Sequence, residues 1–427
     1  MQLRARRKPH VRHPGPAGRG GARLRSTLAV LALAALYSTL GRSGVLPEDR
    51  VDVEWNRYEG GGQTIEGKSW LIRKKVGDKV SLTYNHLIDV VSGASIDVKL
   101  AASPYTEQRT QDSVSAEYLY GKSTYSVGYI HSYEEDYRAN TAFFSISQDM
   151  FGDLTTVSMT FRRGWNEIWK DLVVDGVKIH DPNFPPYDPQ PPGVPCPTGG
   201  CKARMDERAY GVGLTQILTR NSILALNYEV ITDQGWLANP YRQVRYLDPT
   251  VPSGFALQPE VFPNTRTSNA IGADYKYYMP WRAALDLQYR YFHDTWGIGA
   301  HTAQIGYTQP WRNWTFDGTF RFYKQNHADF YSDLFPYRDY QNFMTRSREL
   351  ATFNSYSLGA GVSYQFGIPY VHFINRSTVN FQYNRLIIDY KDYREVYTVN
   401  EPAGMVGNEP FYTLKVNLFQ LFLSFWY

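Results

Sequence analysis

Apolar and polar residues alternate along most of the chain with a period of two. The last stretch shows this most clearly, because every second residue is apolar: Phe419, Leu421, Leu423, Phe425 and Tyr427. Such residues lie on one face of a β-strand. On a soluble sheet edge this face would promote aggregation, whereas in a barrel closed within lipid it contacts hydrocarbon. The terminal strand therefore predicts a transmembrane β-barrel.

The alternation recurs upstream and predicts about sixteen strands, most of them close to the roughly 9–11 residues that a tilted membrane strand needs. Turns after even-numbered strands are short, and several connections after odd-numbered strands are long. The long connections lie near residues 91–106, 164–203, 232–264, 324–352 and 389–410. Short periplasmic turns, long extracellular loops and an even strand number are typical of outer-membrane barrels. We predict one all-β antiparallel barrel over residues 50–427, with both ends of its sheet in the periplasm.

Aromatic residues cluster beside the predicted short turns, where an amphipathic ring meets both lipid and water. The set comprises Tyr118, Tyr120, Tyr125, Tyr275, Tyr277, Trp281, Trp311, Trp314, Tyr364, Phe366 and Tyr427. The preference of Tyr and Trp for strands explains their abundance but not their position at one end. The pattern predicts an aromatic girdle at the periplasmic interface.

Composition supports this architecture. Aromatic residues make up 15% of the 427 residues, with 34 Tyr, yet the mean hydropathy is −0.45. Alternating apolar-out and polar-in strands produce this combination. The net charge is only +4, from 45 basic and 41 acidic residues, so the composition gives no reason to propose nucleic acid as a partner.

The N-terminal region has the layout of a secretory signal. The first 25 residues are rich in Arg and Lys and contain no Asp or Glu, an apolar run follows over residues 28–36, and small residues lie at 38–43. The apolar run is too short for a membrane anchor. We predict a signal peptide over residues 1–43, and therefore export to the outer membrane of a Gram-negative cell.

Two cysteines, Cys196 and Cys201, lie in a Pro-rich stretch of the predicted outer loop at 164–203. Export exposes them to an oxidising compartment, which favours a small disulfide loop. A metal site would need further ligands at suitable spacing, and none are present nearby. We predict a Cys196–Cys201 disulfide and no metal or cofactor.

Ten charged residues fall on the polar face of the strands and are predicted to line the lumen. The basic ones are Arg109, Arg162, Lys276, Arg290 and Arg321, and the acidic ones are Glu117, Glu229, Asp274, Asp286 and Asp317. This balance predicts a polar, roughly neutral interior, and no ion preference follows from it.

The outer loops hold the candidate ligand-binding residues, which are Arg242, Arg245, Asp294, His301, Asp329 and Asp333. Three interpretations remain open. Asp294, His301 and Ser332 could supply the parts of a hydrolase. Asp294, Asp329 and Asp333 could bind Ca²⁺. Alternatively, these Arg and Asp residues pair with each other and hold the loops over the mouth, which is the interpretation that we favour because no catalytic motif is present.

Several stretches resemble a family of bacterial proteins of unknown function that is expected to form outer-membrane β-barrels. They are residues 92–95, 148–156, 239–246, 294–302, 328–335 and 424–427, and the resemblance covers about 50–427. Ser347 stands where the family pattern suggests Asp. The segment around 183–203 resembles an insertion relative to that family. The resemblance implies a fold and a location, but no catalytic residues.

The sequence thus predicts a porin-like or transport-related barrel and not an enzyme. The alternatives are a surface barrel that binds a ligand or partner through its loops or scaffolds an envelope complex, and a barrel hydrolase. The expected partners are outer-membrane lipid and the barrel-assembly machinery, which would recognise the C-terminal signal formed by Phe419, Leu421, Leu423, Phe425 and Tyr427.

Overall fold

A computed structural model describes residues 45–93, 105–174, 177–181, 184, 202–368, 371, 373–396 and 405–427. The predicted signal peptide at 1–43 and the predicted Cys196–Cys201 disulfide lie outside these residues.

The described residues form twenty β-strands and one short 3-10 turn at Arg348–Leu350. The strands are β1 (Arg50–Gly60), β2 (Gln63–Val76), β3 (Val80–Gly93), β4 (Tyr105–Tyr120), β5 (Ser123–Glu134), β6 (Tyr137–Met150), β7 (Thr155–Ile168), β8 (Asp171–Val174), β9 (Val177–His180), β10 (Ala203–Thr219), β11 (Ser222–Gly235), β12 (Gln243–Leu247), β13 (Phe255–Pro259), β14 (Thr265–Tyr278), β15 (Ala284–Asp294), β16 (Gly299–Trp311), β17 (Trp314–Gln325), β18 (Phe353–Phe366), β19 (Arg376–Arg394) and β20 (Phe411–Trp426).

Sixteen of these strands close into one antiparallel barrel, which confirms the predicted fold. The other four form two small hairpins, β8–β9 and β12–β13, within the outer loops. The barrel closes where β1 pairs with β20, with Val51 opposite Phe425 and Gly60 opposite Val416. The terminal strand therefore has a partner on both sides and presents no free edge.

The two faces of each barrel strand differ as the alternation predicts. On β15, Leu287 and Tyr289 point outward and are 40% and 50% exposed, whereas Asp286, Gln288 and Arg290 point into the lumen. The predicted aromatic girdle lies at the short-turn end, where neighbouring rings are in contact. Tyr118 and Tyr125 have ring centroids 6.4 Å apart, and those of Trp314 and Tyr364 are 4.5 Å apart.

A second ring of tyrosines, which we call the upper tyrosine ring, lies on the outer face toward the long loops. Each hydroxyl forms a hydrogen bond with a polar residue of an adjacent strand. The pairs are Tyr84–Asp112 (2.6 Å), Tyr129–Asn140 (2.6 Å), Tyr228–Asn269 (2.8 Å), Tyr289–His301 (2.7 Å) and Tyr383–Asn417 (3.0 Å). In every pair the partner lies two residues nearer the long loops than the residue directly opposite the tyrosine. All five hydroxyls therefore point the same way.

At the opposite end the tyrosine direction reverses. The Tyr307 hydroxyl donates to Gln309 Oε1 (2.9 Å), toward the short turns, and accepts from Trp281 Nε1 (3.1 Å). His301 and Gln309 are eight positions apart on β16, which corresponds to about 27 Å along the strand. At a strand tilt of about 40° this is about 20 Å along the barrel axis. The apolar band between the two rings is close to the roughly 25 Å of a membrane-spanning barrel.

The long loops fold back over the barrel mouth and form what we call the cap, which comprises residues 236–264, 295–298, 326–352 and 405–410. Its apolar side chains, including Trp296, Ile298 and Leu350, pack on the inner face of β19 and β20. The apolar residues of those two strands that belong to this buried cluster are Tyr390, Tyr393, Tyr412, Leu414 and Val416. The upper part of the lumen is therefore filled.

Two strands are longer than their hydrophobic pattern indicates. β7 continues to Ile168, past residue 164 where the alternation stops, and β11 continues to Gly235. Above the apolar band the outer face meets water and the inner face meets the cap, so the strand no longer needs an apolar outer side. The backbone pairing with β10 nevertheless continues to Ile168.

Within the part of the chain that the structure describes, no helix is long and apolar enough to cross a membrane.

Candidate functional site

A buried ionic cluster holds the cap over the mouth. Arg245, on β12, is 1% exposed and reaches Glu409 in the β19–β20 loop, 164 residues away. The contact is bidentate, because Arg245 Nη1 donates to one carboxylate oxygen and Nη2 donates to the other (3.2 Å). A planar guanidinium facing both oxygens is a favourable geometry for a buried pair.

Asp333, in the β17–β18 loop, is the centre of this cluster. It accepts from Arg245 Nη2 (2.5 Å), from Arg346 Nε (3.0 Å) and from the Arg394 backbone N–H (3.1 Å). Arg346 also lies over the Tyr393 ring, 4.3 Å from its centroid. Three arginines and two carboxylates from three loops and the end of β19 are thereby joined.

A second cluster lies beside the first and contains Arg242. Its guanidinium binds both oxygens of Glu349, at 2.8 Å for Nη2–Oε1, and also donates to the Ser347 hydroxyl. The Ser347 hydroxyl in turn donates to Glu260 (3.2 Å). Ser347, the departure from the family pattern, therefore occupies a position between a guanidinium and a carboxylate.

The carboxyl groups of the cap have perturbed pKa values. Burial alone would raise the pKa of Glu349, but Arg242 outweighs it and holds that pKa at about 2. Burial alone would also raise the pKa of Glu409, but the hydrogen bond from Arg245 opposes it, and the pKa lies below its ordinary value. Burial raises the pKa of Glu260, despite the proximity of Arg242. Glu349 and Glu409 are therefore ionised partners, whereas burial disfavours the charged form of Glu260.

Below the cap the lumen is lined by charged side chains, several of them in ion pairs. Lys276 lies 3.0 Å from Asp286, and Arg162 lies 3.0 Å from Glu207. Arg290 lies 3.9 Å from Glu229. In two of these pairs the basic side chain is the more accessible member, since Lys276 is 57% and Arg290 is 44% exposed. The predicted polar interior is present in this region.

The structure brings together only part of the predicted site. Arg242, Arg245 and Asp333 meet in the two clusters, as the loop-holding interpretation predicts. Asp294 is buried against Arg266 (2.8 Å), and its other carboxylate oxygen accepts backbone N–H groups of its own turn. Asp329 is exposed at the surface of the cap.

The structure does not bring together the three residues of the catalytic interpretation, Asp294, His301 and Ser332. His301 points to the outer face of β16 and bonds to Tyr289, whereas Asp294 faces the interior. The Ser332 hydroxyl donates to the Leu334 carbonyl (2.9 Å). The Ca²⁺ interpretation fails for a similar reason, since Asp333 is occupied by arginines and no group of three potential metal ligands occurs among the residues described.

Sequence reasoning missed Glu409, Arg346 and Arg394, which complete the cluster. They lie in segments without alternation, and contacts across such separations leave no periodic signal. It also missed the upper tyrosine ring, although the signal was present: on several strands a tyrosine is the last aromatic residue before an outward polar one, as with Tyr84 and His86.

A small groove opens on the cap surface. It has a volume of about 290 Å³ and is lined by Pro263, Thr295, Trp296, Asp329, Phe330, Gln341, Asn342 and Phe343. Trp296 and Phe330 pack edge to face with centroids 5.1 Å apart. The groove thus combines an aromatic floor with a carboxylate and two amides.

Comparison with solved structures finds other barrels at low similarity. CdiB from Acinetobacter baumannii is 10% identical, with a TM-score of 0.37, over 89% of this chain and 60% of that one. A bacterial polysaccharide outer membrane secretin is 7% identical, with a TM-score of 0.43, over 90% and 100%. A Pseudomonas aeruginosa FadL homologue is 9% identical, with a TM-score of 0.37, over 88% of each chain. The chain spans about 60% of the length of CdiB and of the siderophore receptor PirA.

No curated protein matches the sequence. The sequence pattern of one family, described as "Protein of unknown function (DUF3570)", matches residues 97–383, which is more than half of the chain. The chain therefore belongs to the DUF3570 family, and it has the closed sixteen-stranded barrel described above.

Proposed function

We propose that this protein is an outer-membrane barrel that passes small polar solutes, and that the cap restricts its outer mouth. Export by the signal peptide at 1–43 is part of this proposal. Support for the membrane location comes from the outward apolar band, bounded by tyrosine hydroxyls that point away from it on both sides. Amphipathic aromatic residues occupy these positions at membrane interfaces.

One observation carries the transport proposal: inward-facing side chains below the cap are exposed to solvent. They include Lys276, Arg290, Thr319, Arg321 and Gln382. In a packed core, polar side chains this accessible would be unusual. A water-filled polar interior in a barrel of this strand number is typical of porins.

The cap supplies the restriction. It combines an apolar cluster with buried ion pairs, and removing one partner of such a pair leaves an uncompensated charge. The cap is therefore a closed state of the outer mouth that a local change in charge opens.

Conductance in planar bilayers tests the proposal. Purified, heat-modifiable barrel should give single-channel steps, and the Glu409→Gln variant should give larger or longer openings because Arg245 loses its charged partner. A folded barrel that gives no steps, with or without this substitution, would contradict a transport role. Liposome swelling with sugars of increasing size would then define the largest solute.

A second candidate function is ligand binding through the outer loops, and the groove at Asp329 favours it. Its aromatic and amide lining suits a small polar ligand such as a monosaccharide. Saturation-transfer NMR with a monosaccharide panel tests this candidate, with Asp329→Asn as the variant. Binding that is unchanged by this substitution would locate the ligand elsewhere.

We propose that the C-terminal residues act as an assembly signal in addition to forming the last strand of the barrel. Phe425 lies opposite Val51, and the Tyr427 ring contacts Lys74, whose Nζ is 4.6 Å from the centroid. Replacing Tyr427 by Ala should reduce the amount of heat-modifiable barrel in cells more than it reduces refolding in detergent. Equal losses would indicate a purely structural role.

A further inference from the structure

Two arginines face each other on the outside of the barrel. Arg163 on β7 and Arg208 on β10 are directly opposite in the strand register, and both are exposed. They share the outward face with the pair below them, Phe161 and Tyr210, whose rings are 5.2 Å apart. Like charges directly opposite one another destabilise a sheet, so this pairing needs a compensating anion.

Carboxylates compensate this pair only weakly. Asp206 lies 3.9 Å from Arg163, and both side chains are about half exposed. Glu167, the next carboxylate along the face, is already engaged by Lys202 (3.0 Å) and Arg138 (3.8 Å). Among the described residues, no carboxylate lies within ion-pair distance of Arg208.

The height of this pair follows from the upper tyrosine ring. Asn140, the partner of Tyr129, is opposite Trp165 of β7. Asn269, the partner of Tyr228, is opposite Val230, which is opposite Tyr210 of β10. On β7 and β10 the limit of the apolar band therefore falls between the Trp165 level and the Tyr210 level. Arg163 and Arg208 occupy that interval.

We propose that Arg163 and Arg208 bind the phosphate group of an anionic lipid headgroup in the outer leaflet. Lipid phosphates lie at this height, beside the aromatic residues that mark the interface. Two guanidinium groups present several donors that match phosphate oxygens. Ala142 and Thr232, the register neighbours on either side, are small and leave the pair open to lipid. The acyl chains would then lie along Phe161 and Tyr210.

This inference rests on the proposed membrane location and is independent of solute passage. A barrel that fails to conduct leaves it intact. A chain found in a soluble fraction would remove both proposals.

Native mass spectrometry of the delipidated barrel in detergent tests the lipid site, with dipalmitoyl phosphatidic acid as the probe and phosphatidylcholine as the comparison. The R163Q/R208Q variant should retain no more than about one fifth of the phosphatidic acid that the wild type retains. The charge-matched control is R57Q/R385Q, because Arg57 is paired with Glu59 and Glu66, and Arg385 is bonded to Asn417.

Retention that is equal in the wild type and R163Q/R208Q would overturn the proposal, as would an equal loss in the control variant. Displacement of the lipid by millimolar inorganic phosphate alone would also overturn it, since the site would then recognise free phosphate. Heat-modifiable migration of each variant establishes that it is folded. Should R163Q/R208Q fail to fold, R208Q alone is measured against R385Q, with the same expected order.

Discussion

Arg245 and Glu409 are 164 residues apart in the chain and form a bidentate ion pair in which their side chains are 1% and 2% exposed. The pair connects the β12–β13 hairpin to the last loop before the closing strand. Because both groups are removed from water, each charge is stabilised by the opposite charge of its partner. The closed cap is thus sensitive to the loss of a single charge.

Replacing Arg245 by Met should open the cap. Breaking a buried pair by removing one partner costs about 3–5 kcal/mol, because Glu409 is left without its counter-charge. The expected result is faster proteolysis of residues 326–352 and a larger conductance. Arg338→Met is the matched control, since Arg338 lies in the segment 326–352 whose proteolysis is measured and is 71% exposed. The double variant R245M/E409L should recover most of the loss, and a double variant as open as the single one would contradict this explanation.

Acid should weaken the cap through Glu349. Its pKa is about 2 in the folded cap and 4.5 ordinarily, so its stabilising contribution is complete above about pH 4.5 and disappears as the pH falls toward 2. Glu260 acts in the opposite direction, because its pKa is raised. Conductance measured from pH 7 to 2.5 should rise below about pH 4.5 in the wild type and in E260Q. It should rise less in E349Q, because Glu409 is then the remaining cap carboxylate whose pKa is lowered by an arginine. The same acid response in E349Q and the wild type would point to another group.

Two neighbouring residues of β15 test the orientation of the strands. Leu287 points outward into the apolar band, and Gln288 points into the lumen. Leu287→Arg should destabilise the folded barrel by about 2–4 kcal/mol, because a charged residue on the lipid face is costly near the membrane midplane. Gln288→Arg should be tolerated. Urea titration of refolded barrels in lipid vesicles measures both, and equal costs would refute the assigned faces.

Charge reversal in the lumen should change ion selectivity. Arg290 and Arg321 are exposed and inward-facing, so the R290E/R321E variant replaces two accessible positive charges by negative ones. The reversal potential in a KCl gradient should shift toward cation preference relative to the wild type. R338E, on the surface of the cap, should shift it much less. A shift of the same size in both variants would show that the two arginines are not on the ion path.

The fold could be predicted from the sequence because lipid acts on every strand in the same way. Residues such as Leu285 and Leu287 must be apolar on the outside, and the turns between hairpins are short, so period and connection length identify the barrel. The terminal strand could even be assigned its partner, since closure requires β20 to pair with β1.

The cap could not be predicted to the same extent. Arg242, Arg245 and Asp333 are recognisable as charged residues in long loops, but their partners Glu349 and Glu409 lie 107 and 164 residues from the arginines they bind. Ion pairs need only complementary charge and a suitable distance, so they leave no periodicity. His301 illustrates the converse error, because its nearness in sequence to Asp294 suggested a shared site, although the two residues face opposite sides of the wall.

The pairing of β1 with β20 distinguishes one step of folding from all the others. Every other contact between barrel strands joins neighbours in the order of the chain, whereas this one brings Arg50 opposite Trp426. Hairpins can therefore form and add to one another locally, and only the last pairing requires the two ends of the sheet to meet. Since contacts between distant residues are slow to form, the closing of this seam should limit the rate of folding. Until it closes, β1 and β20 are both open edges, available to a chaperone or to a second copy of the chain.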